Sequence, residues 1–199
     1  MEDKLLIIFV KNLVLGKVKT RLAQSIGDEA ALEVYKFLLE HTRREIEKVQ
    51  CDKAIYYADY IPETDDWKER DYQQCLQRGT SLGERMELAF DNGFRHGYKR
   101  IVTIGSDCAE LNQEIITRSF ELLTTNDTVI GPALDGGYYL LGLTKMIPAV
   151  FVKEWSTASV CRETVKDFCS NNCTYSELEI LSDIDTIDDW NRHLANAKI

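Results

Sequence analysis

Apolar residues follow two patterns along this chain: short continuous runs, and longer stretches with helical spacing. The first run, KLLIIFV at Lys4–Val10, is typical of a strand buried on both faces of a sheet. From Asp28 to Val49 apolar residues recur about every 3.6 positions, which predicts a helix that covers the sheet. Similar runs predict further strands at Lys53–Ala58, Arg100–Ile104, Thr128–Ile130 and Tyr138–Leu143. The polar stretch Pro62–Gln77 is expected to be helix and loop.

Capping residues mark the start of several helices. Ser81-Leu82-Gly83-Glu84 has the Ser-x-x-Glu spacing of a capping box, and apolar residues with helical period follow it. Helices are also predicted from near Thr20, over Asn112–Leu123 and after Asp185 or Thr186. No linker or repeat divides the chain, so we predict one domain over residues 1–199. Alternating strands and helices predict a three-layer α/β/α sandwich with a mostly parallel, mixed central sheet. Such sheets bind ligands at the carboxyl ends of their strands.

Composition and charge narrow the function classes. With 44% hydrophobic and 29% charged residues, the chain matches an ordinary globular domain. Its formal net charge of -9 argues against nucleic acid or an anionic membrane surface as partner, because both require a broad basic face. No run approaches the roughly 20 apolar residues of a membrane span, and the acidic start MEDKLLIIFV does not resemble a signal peptide. We therefore expect a cytoplasmic protein with free thiols at its six cysteines.

A concentrated positive loop follows the first strand, although the protein as a whole is acidic. It contains four cations and no acidic residue between its ends: Lys11, Lys17, Lys19 and Arg21. The loop is not a nucleotide-binding P-loop, because Val18 stands where Ser or Thr should bind magnesium. Cations at the end of a strand and ahead of a helix nevertheless suit a diphosphate. The alternative interpretation is a solvated, lysine-rich surface loop.

Acidic residues at two other places are candidate metal ligands. Asp107 in IGSDCAEL lies just past a buried strand, where a carboxylate suits Mg²⁺ or Mn²⁺ bound to phosphate oxygens. Its alternative role is to cap the following helix or loop. In SDIDTIDDWN, Asp183 or Asp185 is a candidate second metal ligand, while Asp185 or Thr186 alternatively caps the last helix. Cys108, beside Asp107, has no nearby histidine in the sequence and is interpreted as a bystander thiol.

The stretch GPALDGGYYLLGL, residues 131–143, is the most distinctive of the chain. Asp135-Gly136 is a turn signal, so a plain hairpin is one interpretation. Alternatively, Gly136 and Gly137 allow a sugar to lie against the backbone while Asp135 faces the same crevice. Both interpretations stay open on the residues alone.

Six segments in order resemble one bacterial family. They are K-x-x-x-x-G-x-V-K-T-R-L at Lys11–Leu22, SLGERM at Ser81–Met86, GSDCAEL at Gly105–Leu111, GPALDGGYYLLGL, WST at Trp155–Thr157 and DIDTIDDW. Together they resemble the arsenosugar-biosynthesis-type glycosyltransferases within the nucleotide-diphospho-sugar transferase superfamily. The resemblance covers nearly the whole chain. It implies a GT-A-like fold that binds a nucleoside-diphosphate sugar with Mg²⁺ or Mn²⁺ and transfers the sugar to a small-molecule acceptor.

The resemblance also implies roles for particular residues. The residues expected to contact the nucleotide sugar are Lys11, Gly16, Lys19, Arg21, Gly83, Gly136 and Gly137. Asp107 and Asp185 are expected to bind the metal. Asp107 and Asp135 are the expected catalytic residues, with Asp135 as the candidate base for the acceptor hydroxyl.

Two departures from the family pattern keep other functions open. Leu13 and Ala109 stand where the family usually has proline, which removes rigidity from two loops expected to hold ligands. One alternative is a nucleotidylyltransferase, because the 2-phospholactate guanylyltransferases have a similar early K-x-x-x-x-x-K-T-R-L loop. A second alternative is a nucleotide-binding module without catalysis.

Overall fold

A single mixed sheet forms the centre of the computed structural model, which describes residues 3–68, 70 and 72–196. Within this part of the chain the sheet has seven strands in the order β3-β2-β1-β4-β6-β5-β7. They are β1 (Lys4–Val10), β2 (Asp52–Tyr57), β3 (Gln73–Leu76), β4 (Arg100–Ile104), β5 (Thr128–Pro132), β6 (Tyr138–Leu143) and β7 (Tyr175–Glu177). Four neighbouring pairs are parallel, and β6 runs antiparallel to both β4 and β5. The prediction of a mostly parallel, mixed sheet is confirmed.

Helices cover both faces of the sheet. They are α1 (Thr20–Ile26), α2 (Asp28–Glu47), α3 (Leu82–Arg95), α4 (Gln113–Leu122), α5 (Val160–Ser170) and α6 (Ile187–Asn196), with a 3-10 turn at Pro148–Phe151. Each face of the sheet has its own hydrophobic core. Alternate residues of β1 belong to different cores, because successive side chains of a strand point to opposite faces. Leu6 packs with α2 and α4, while Ile7 packs with α3 and α5. Among the described helices, none is long and apolar enough to cross a membrane.

Most predicted elements form, with bounds that differ by a few residues. β1 and β6 have the predicted bounds, and α1 begins at the predicted Thr20. The expectation of helix and loop over Pro62–Gln77 is wrong in part, because β3 lies within it. β3 is a four-residue edge strand without a buried apolar run, so the sequence gives no strand signal there. Residues 69 and 71 of that stretch lie outside the described residues. So do residues 1–2 and 197–199, at the two ends of the predicted domain.

The cap of α3 forms as predicted, and the cap of α6 settles an alternative that the sequence left open. The Ser81 hydroxyl accepts a hydrogen bond from the Glu84 amide at 3.2 Å, as the capping-box spacing predicts. At the last helix, Thr186 Oγ1 accepts from the Asp189 amide at 3.4 Å and Asp189 accepts from the Thr186 amide at 2.9 Å. This reciprocal pairing is that of a capping box. Thr186 therefore caps α6, and the Asp185 side chain is available for another role.

The sheet order brings distant loops to one edge. β1, β2 and β4 are parallel, so their carboxyl ends lie together. Because β6 is antiparallel to β4, its first residues, at the β5–β6 turn, lie at the same edge. The segment before α6 joins them through a hydrogen bond from the Ile184 amide to the Asp107 carbonyl oxygen at 2.9 Å. This edge is where ligands bind in open α/β sheets.

Candidate functional site

A cavity of about 440 Å³ opens at the carboxyl ends of the strands. Its charged lining residues are the four aspartates Asp107, Asp135, Asp183 and Asp185 and the basic residues Lys11 and Arg85. Its apolar lining comes mainly from Phe9, Leu82, Met86, Tyr138 and Trp155. The cavity is therefore charged in one part and aromatic in another. That combination suits a ligand with both an anionic group and a ring.

Tyr35 of α2 connects the ends of the two central strands. Its buried hydroxyl accepts a hydrogen bond from the Lys11 amide at 2.8 Å and lies 3.1 Å from the Ser106 hydroxyl. Burial, and then the charge of Asp107, raise the pKa of Tyr35, so the phenol stays protonated. The loops after β1 and β4 are thus joined beneath the cavity. The sequence shows Tyr35 only as one residue of the apolar face of α2.

Lys19 makes the closest charge contacts of the site. Its ammonium lies 2.6 Å from Asp107 Oδ1 and 3.2 Å from Asp185 Oδ1, and its side chain is only 3% exposed. Burial alone would lower the pKa of Lys19, but the charges of Asp107 and Asp185 and their hydrogen bonds raise it above its ordinary value. Lys19 therefore binds two carboxylates from distant segments, and it does not line the cavity itself.

Asp183 is a cavity-lining residue whose carboxyl has a raised pKa. It lines the cavity one residue away from the Ile184 amide that binds the Asp107 carbonyl. Burial, followed by the nearby charges of Asp107, Asp135 and Asp185, raises the pKa of Asp183 to about 7, although Lys19 opposes the shift. A further cation beside Asp183 would favour the charged form of this carboxyl.

Asp135 lies on the turn between β5 and β6, as the hairpin interpretation expects, and this turn also borders the cavity. The Gly137 amide donates to Asp135 Oδ1 at 2.8 Å, and both residues line the cavity. Gly136 has φ of +89°, and a Cβ there would lie 2.2 Å from the Ala158 carbonyl oxygen. Gly136 therefore packs closely against the backbone of Ala158, and its expected contact with a sugar stays a prediction. Gly137 alone of the pair faces the cavity.

Two other predicted binding glycines also pack against the protein itself. A Cβ on Gly83 would lie 2.1 Å from the Phe151 carbonyl oxygen and 2.5 Å from Trp155 Nε1. Gly83 thus allows α3 to approach the 3-10 turn and the Trp155 ring. Gly16 has φ of +73° and lies beside the Asp28 carboxylate at the start of α2. Neither glycine lines the cavity, and their expected contact with the nucleotide stays a prediction.

Of the other residues predicted to bind a ligand or metal, some line the cavity and one lies at its margin. The cavity is lined by Lys11, Asp107, Asp135, Gly137 and Asp185. Arg21 is mostly exposed, with Nη1 3.8 Å from Asp185 Oδ2 at the cavity margin. Arg21 and Asp107 therefore lie on the same side of the molecule, as the diphosphate hypothesis requires. Their roles toward a ligand stay predictions.

Several lining residues have no role in the sequence interpretation. Gln77 Nε2 donates to the Tyr56 carbonyl oxygen at 2.9 Å, and its Oε1 accepts from Arg85 at 3.4 Å, so Arg85 is held at the cavity. Trp155 packs edge-on against Tyr138 with ring centroids 6.2 Å apart. The WST motif could have indicated Trp155, but no signal marks Gln77, because its position follows from the unpredicted β3.

The residues present fit a divalent cation. Within the described residues, no group of three or more His, Cys, Asp or Glu could hold a metal ion by itself. Asp107 and Asp185 nevertheless each direct one oxygen to the same ammonium, so two hard oxygen ligands meet at one cationic position. Mg²⁺ is commonly bound by one or two carboxylates, with phosphate oxygens and waters completing its shell. The pair therefore suits a metal that arrives with a phosphate-bearing substrate.

The Cys108 thiol, which also lines the cavity, is not reactive. Cys108 is buried, and burial, with the charge of Asp183, raises the pKa of its thiol to about 12. A thiol that stays protonated is a poor nucleophile. The geometry agrees with the bystander role expected of Cys108.

Comparison with known proteins gives a family and several similar structures. Residues 42–157 match the family described as "Uncharacterized protein conserved in bacteria (DUF2064)". A crystal structure from Desulfovibrio desulfuricans G20, of a protein provisionally named a nucleotide-diphospho-sugar transferase, is 32% identical. It has a TM-score of 0.91, and the match covers 100% of this chain and 89% of that one. No match was found among curated proteins.

Two more distant structures share the fold. CMP:2-keto-3-deoxy-manno-octonic acid synthetase complexed with CTP is 7% identical, with a TM-score of 0.60 over 98% of this chain and 99% of that one. Rv0371c from Mycobacterium tuberculosis H37Rv, in complex with manganese, is 13% identical, with a TM-score of 0.57 over 96% and 97%. At these identities the likeness shows the fold alone.

Proposed function

We propose, from the premise that this chain belongs to the bacterial DUF2064 family, that it is a metal-dependent glycosyltransferase. Its donor is a nucleoside-diphosphate sugar and its acceptor a small molecule with a hydroxyl group. The similar structures support a nucleotide-sugar-related transferase. The six ordered motifs that resemble the arsenosugar-biosynthesis-type enzymes support glycosyl transfer in particular.

One observation carries the proposal. Four aspartates from three separate segments and Lys11 line one cavity at the carboxyl ends of the strands. Gathering like charges at one place costs stability, and Lys19 forms ion pairs with two of the four, Asp107 and Asp185. A bound metal and diphosphate would balance the charges.

Charge stabilisation is the main chemical task of this site. In glycosyl transfer the bond to the diphosphate breaks and negative charge builds on its oxygens. Mg²⁺ or Mn²⁺, held by Asp107 and Asp185, would supply positive charge to those oxygens. Lys11 in the cavity and Arg21 at its margin add fixed positive charge next to the same group. These cations explain the basic loop of an acidic protein, since distant charges are screened beyond about 8 Å at physiological salt.

Asp135 is the candidate base. The Gly137 amide holds its Oδ1 at 2.8 Å, which fixes the direction of the carboxylate at the cavity wall. A carboxylate in this position accepts the proton of an acceptor hydroxyl that comes within hydrogen-bonding distance. The Trp155 and Tyr138 rings, which line the same cavity, exclude water around the reacting groups.

The products formed test the proposal. The protein is incubated with UDP- and GDP-sugars and candidate acceptors in the presence of Mg²⁺ or Mn²⁺, and release of the nucleoside diphosphate is measured. In parallel it is incubated with nucleoside triphosphates and a sugar phosphate or phospho-acid, and pyrophosphate is measured. Pyrophosphate from the second reaction without nucleotide release in the first would show a nucleotidylyltransferase instead. Stabilisation by nucleotide sugars without any turnover would show a non-catalytic binding module.

A matched pair of variants tests the metal ligand. We expect Asp107→Asn to remove the metal-dependent part of the thermal shift caused by a nucleotide sugar, while the ligand-free protein stays folded. Asp188→Asn makes the same change at an exposed residue of α6 and serves as control. An unchanged metal dependence in Asp107→Asn would remove Asp107 from the site.

A further inference from the structure

Lys19 occupies the point at which the Asp107 and Asp185 carboxylates meet. We propose that Lys19 and a divalent cation compete for these two carboxylates, so that the protein takes up metal by displacing the Lys19 ammonium. The inference rests on the proposed function, since it concerns the same metal-dependent site. The new element is that the Lys19 ammonium already occupies the metal position in the ligand-free protein, so the metal must displace it.

The contact geometry supports competition at one position. The Lys19 ammonium lies 2.6 Å from Asp107 Oδ1 and 3.2 Å from Asp185 Oδ1, so it bridges both carboxylates. A metal bound by the same two oxygens would lie between them as well. Two cations cannot share this space, because their charges repel and the ammonium is already in hydrogen-bond contact with both oxygens.

The backbones of Asp107 and Asp185 are held by bonds that do not involve Lys19. The Ile184 amide donates to the Asp107 carbonyl oxygen at 2.9 Å and joins the two segments through their backbones. The Asp185 amide donates to Asp189 Oδ2 at 3.2 Å, which anchors that residue to the start of α6. The two segments therefore stay joined when Lys19 leaves, which keeps both side chains within reach of one cation. The pair is ready for another cation.

Lys19 itself is held under strain. It precedes α1 with φ of 48° and ψ of 42°, a left-handed conformation that is unfavourable for a residue with a Cβ, and its side chain does not cap the helix. Its two ion pairs therefore offset a backbone cost. When a divalent cation binds the carboxylates, the loop between Gly16 and α1 can relax. The freed ammonium is then available to the phosphate oxygens of a donor.

Charge explains why a divalent ion displaces the ammonium. The Lys19 ammonium gives a single positive charge to two carboxylates, and the mostly exposed Arg21 approaches Asp185 at 3.8 Å, whereas one Mg²⁺ or Mn²⁺ would balance both carboxylates. A released Lys19 that binds phosphate would make metal and nucleotide sugar bind cooperatively, because each ligand favours the same loop position. The competition thus predicts weak metal binding by the ligand-free protein.

Manganese binding to the ligand-free protein tests the inference directly. Mn²⁺ affinity is measured by calorimetry and by the electron paramagnetic resonance signal of free Mn²⁺, for the wild type, Lys19→Met and Lys17→Met. We expect Lys19→Met to bind Mn²⁺ at least about tenfold more tightly than the wild type, since the resident cation is gone. Lys17→Met removes an exposed cation of the same loop and should bind like the wild type. Equal or weaker binding by a folded Lys19→Met variant would overturn the proposal.

A second measurement uses the wild type and does not depend on the variant folding. An amine-reactive reagent is applied with and without saturating Mg²⁺, and the modified lysines are identified by mass spectrometry. Lys19 should be protected without metal and modified with it, while the exposed Lys17 is modified equally in both. Protection of Lys19 at saturating Mg²⁺ overturns the competition but leaves the proposed transferase standing. If neither the wild type nor Lys19→Met binds Mn²⁺, even with a nucleotide sugar present, the inference and the proposed metal dependence are overturned together.

Discussion

The turn between β5 and β6 depends on a glycine that touches the protein's own backbone, and Gly136→Ala tests this. A Cβ at Gly136 would lie 2.2 Å from the Ala158 carbonyl oxygen and 2.6 Å from the Ala158 carbonyl carbon and Cα. These atoms belong to backbone and cannot move aside as a side-chain end can. The turn must therefore shift away from the segment before α5.

The cost has three parts that the structure defines. Alanine at φ of +89° costs about 1–2 kcal/mol, because its Cβ meets its own carbonyl oxygen. Overpacking against Ala158 costs about 1–3 kcal/mol. A shifted turn also weakens two hydrogen bonds, from the Gly136 amide to Ala133 at 3.0 Å and from the Cys161 amide to Gly136 at 2.9 Å, each worth about 0.5–1.5 kcal/mol. Together these parts give an expected loss of about 3–8 kcal/mol in the free energy of unfolding, nearer the lower end where a shift of the turn relieves the contact with Ala158.

Gly97→Ala is the matched control. Gly97 has φ of +91°, and a Cβ there would meet nothing within 4 Å. This variant therefore reports backbone strain alone, about 1–2 kcal/mol. Both variants are compared with the wild type by urea unfolding at equilibrium, which gives the free energy of unfolding if the transition is two-state.

The difference between the two variants decides the matter. Gly136→Ala should lose at least about 1 kcal/mol more than Gly97→Ala, since only it suffers the contact with Ala158. It should also bind a nucleotide sugar more weakly, because Asp135 and Gly137 move with the turn. Equal losses of stability would refute the assignment of Gly136 to backbone packing.

Three further predictions concern a buried amide, a paired carboxylate and the cysteines. Asn12→Ala should lower the free energy of unfolding by about 1–3 kcal/mol in urea unfolding, because the buried amide binds the Tyr60 carbonyl at 2.8 Å and the Asp59 amide at 3.0 Å; no loss would contradict this tether. A hydrogen bond from Lys145, then one from the Thr174 amide, lower the pKa of Asp127 below its ordinary value, so its contribution is present at neutral pH and lost as pH falls through the lowered pKa. Asp127→Asn should therefore destabilise the protein at pH 7 and progressively less below about pH 4, as thermal melts would show; a pH-independent difference would contradict the pairing. Iodoacetamide at pH 8 should modify the exposed Cys169 and spare the buried Cys108, whose pKa is raised to about 12; mass spectrometry showing rapid Cys108 labelling would refute its inertness.

Local patterns were sufficient for most of the secondary structure. The apolar run Lys4–Val10 and the helical spacing after Asp28 depend only on neighbouring residues, and both elements form as predicted. β3 and β7 escape such reasoning because they are edge strands of four and three residues with little buried surface. Their pairing depends on which strand they meet, and short segments carry no sign of that.

The carboxylates show where sequence reasoning stops at the site. The position of Asp107 after a buried strand indicated a ligand site at that edge of the sheet. The choice between Asp185 as helix cap and as site residue could not be made from sequence, because either role suits an aspartate before a helix. Thr186 caps α6 in the structure, and Asp185 reaches Lys19, 166 residues earlier in the chain.

The glycines and the positive loop also separate what the sequence indicates from what only the tertiary structure decides. Sequence marks Gly83 and Gly136 as places of close approach, since a missing Cβ allows it, but the approaching atoms belong to Phe151 and Ala158. Sequence likewise marks Lys19 as a cation, and only the sheet order decides that its partners are two aspartates. Residue type and spacing are local properties, so they determined the elements, the edge and the chemistry available there. Which groups meet depends on packing between segments far apart in the chain, and only the tertiary structure decided that.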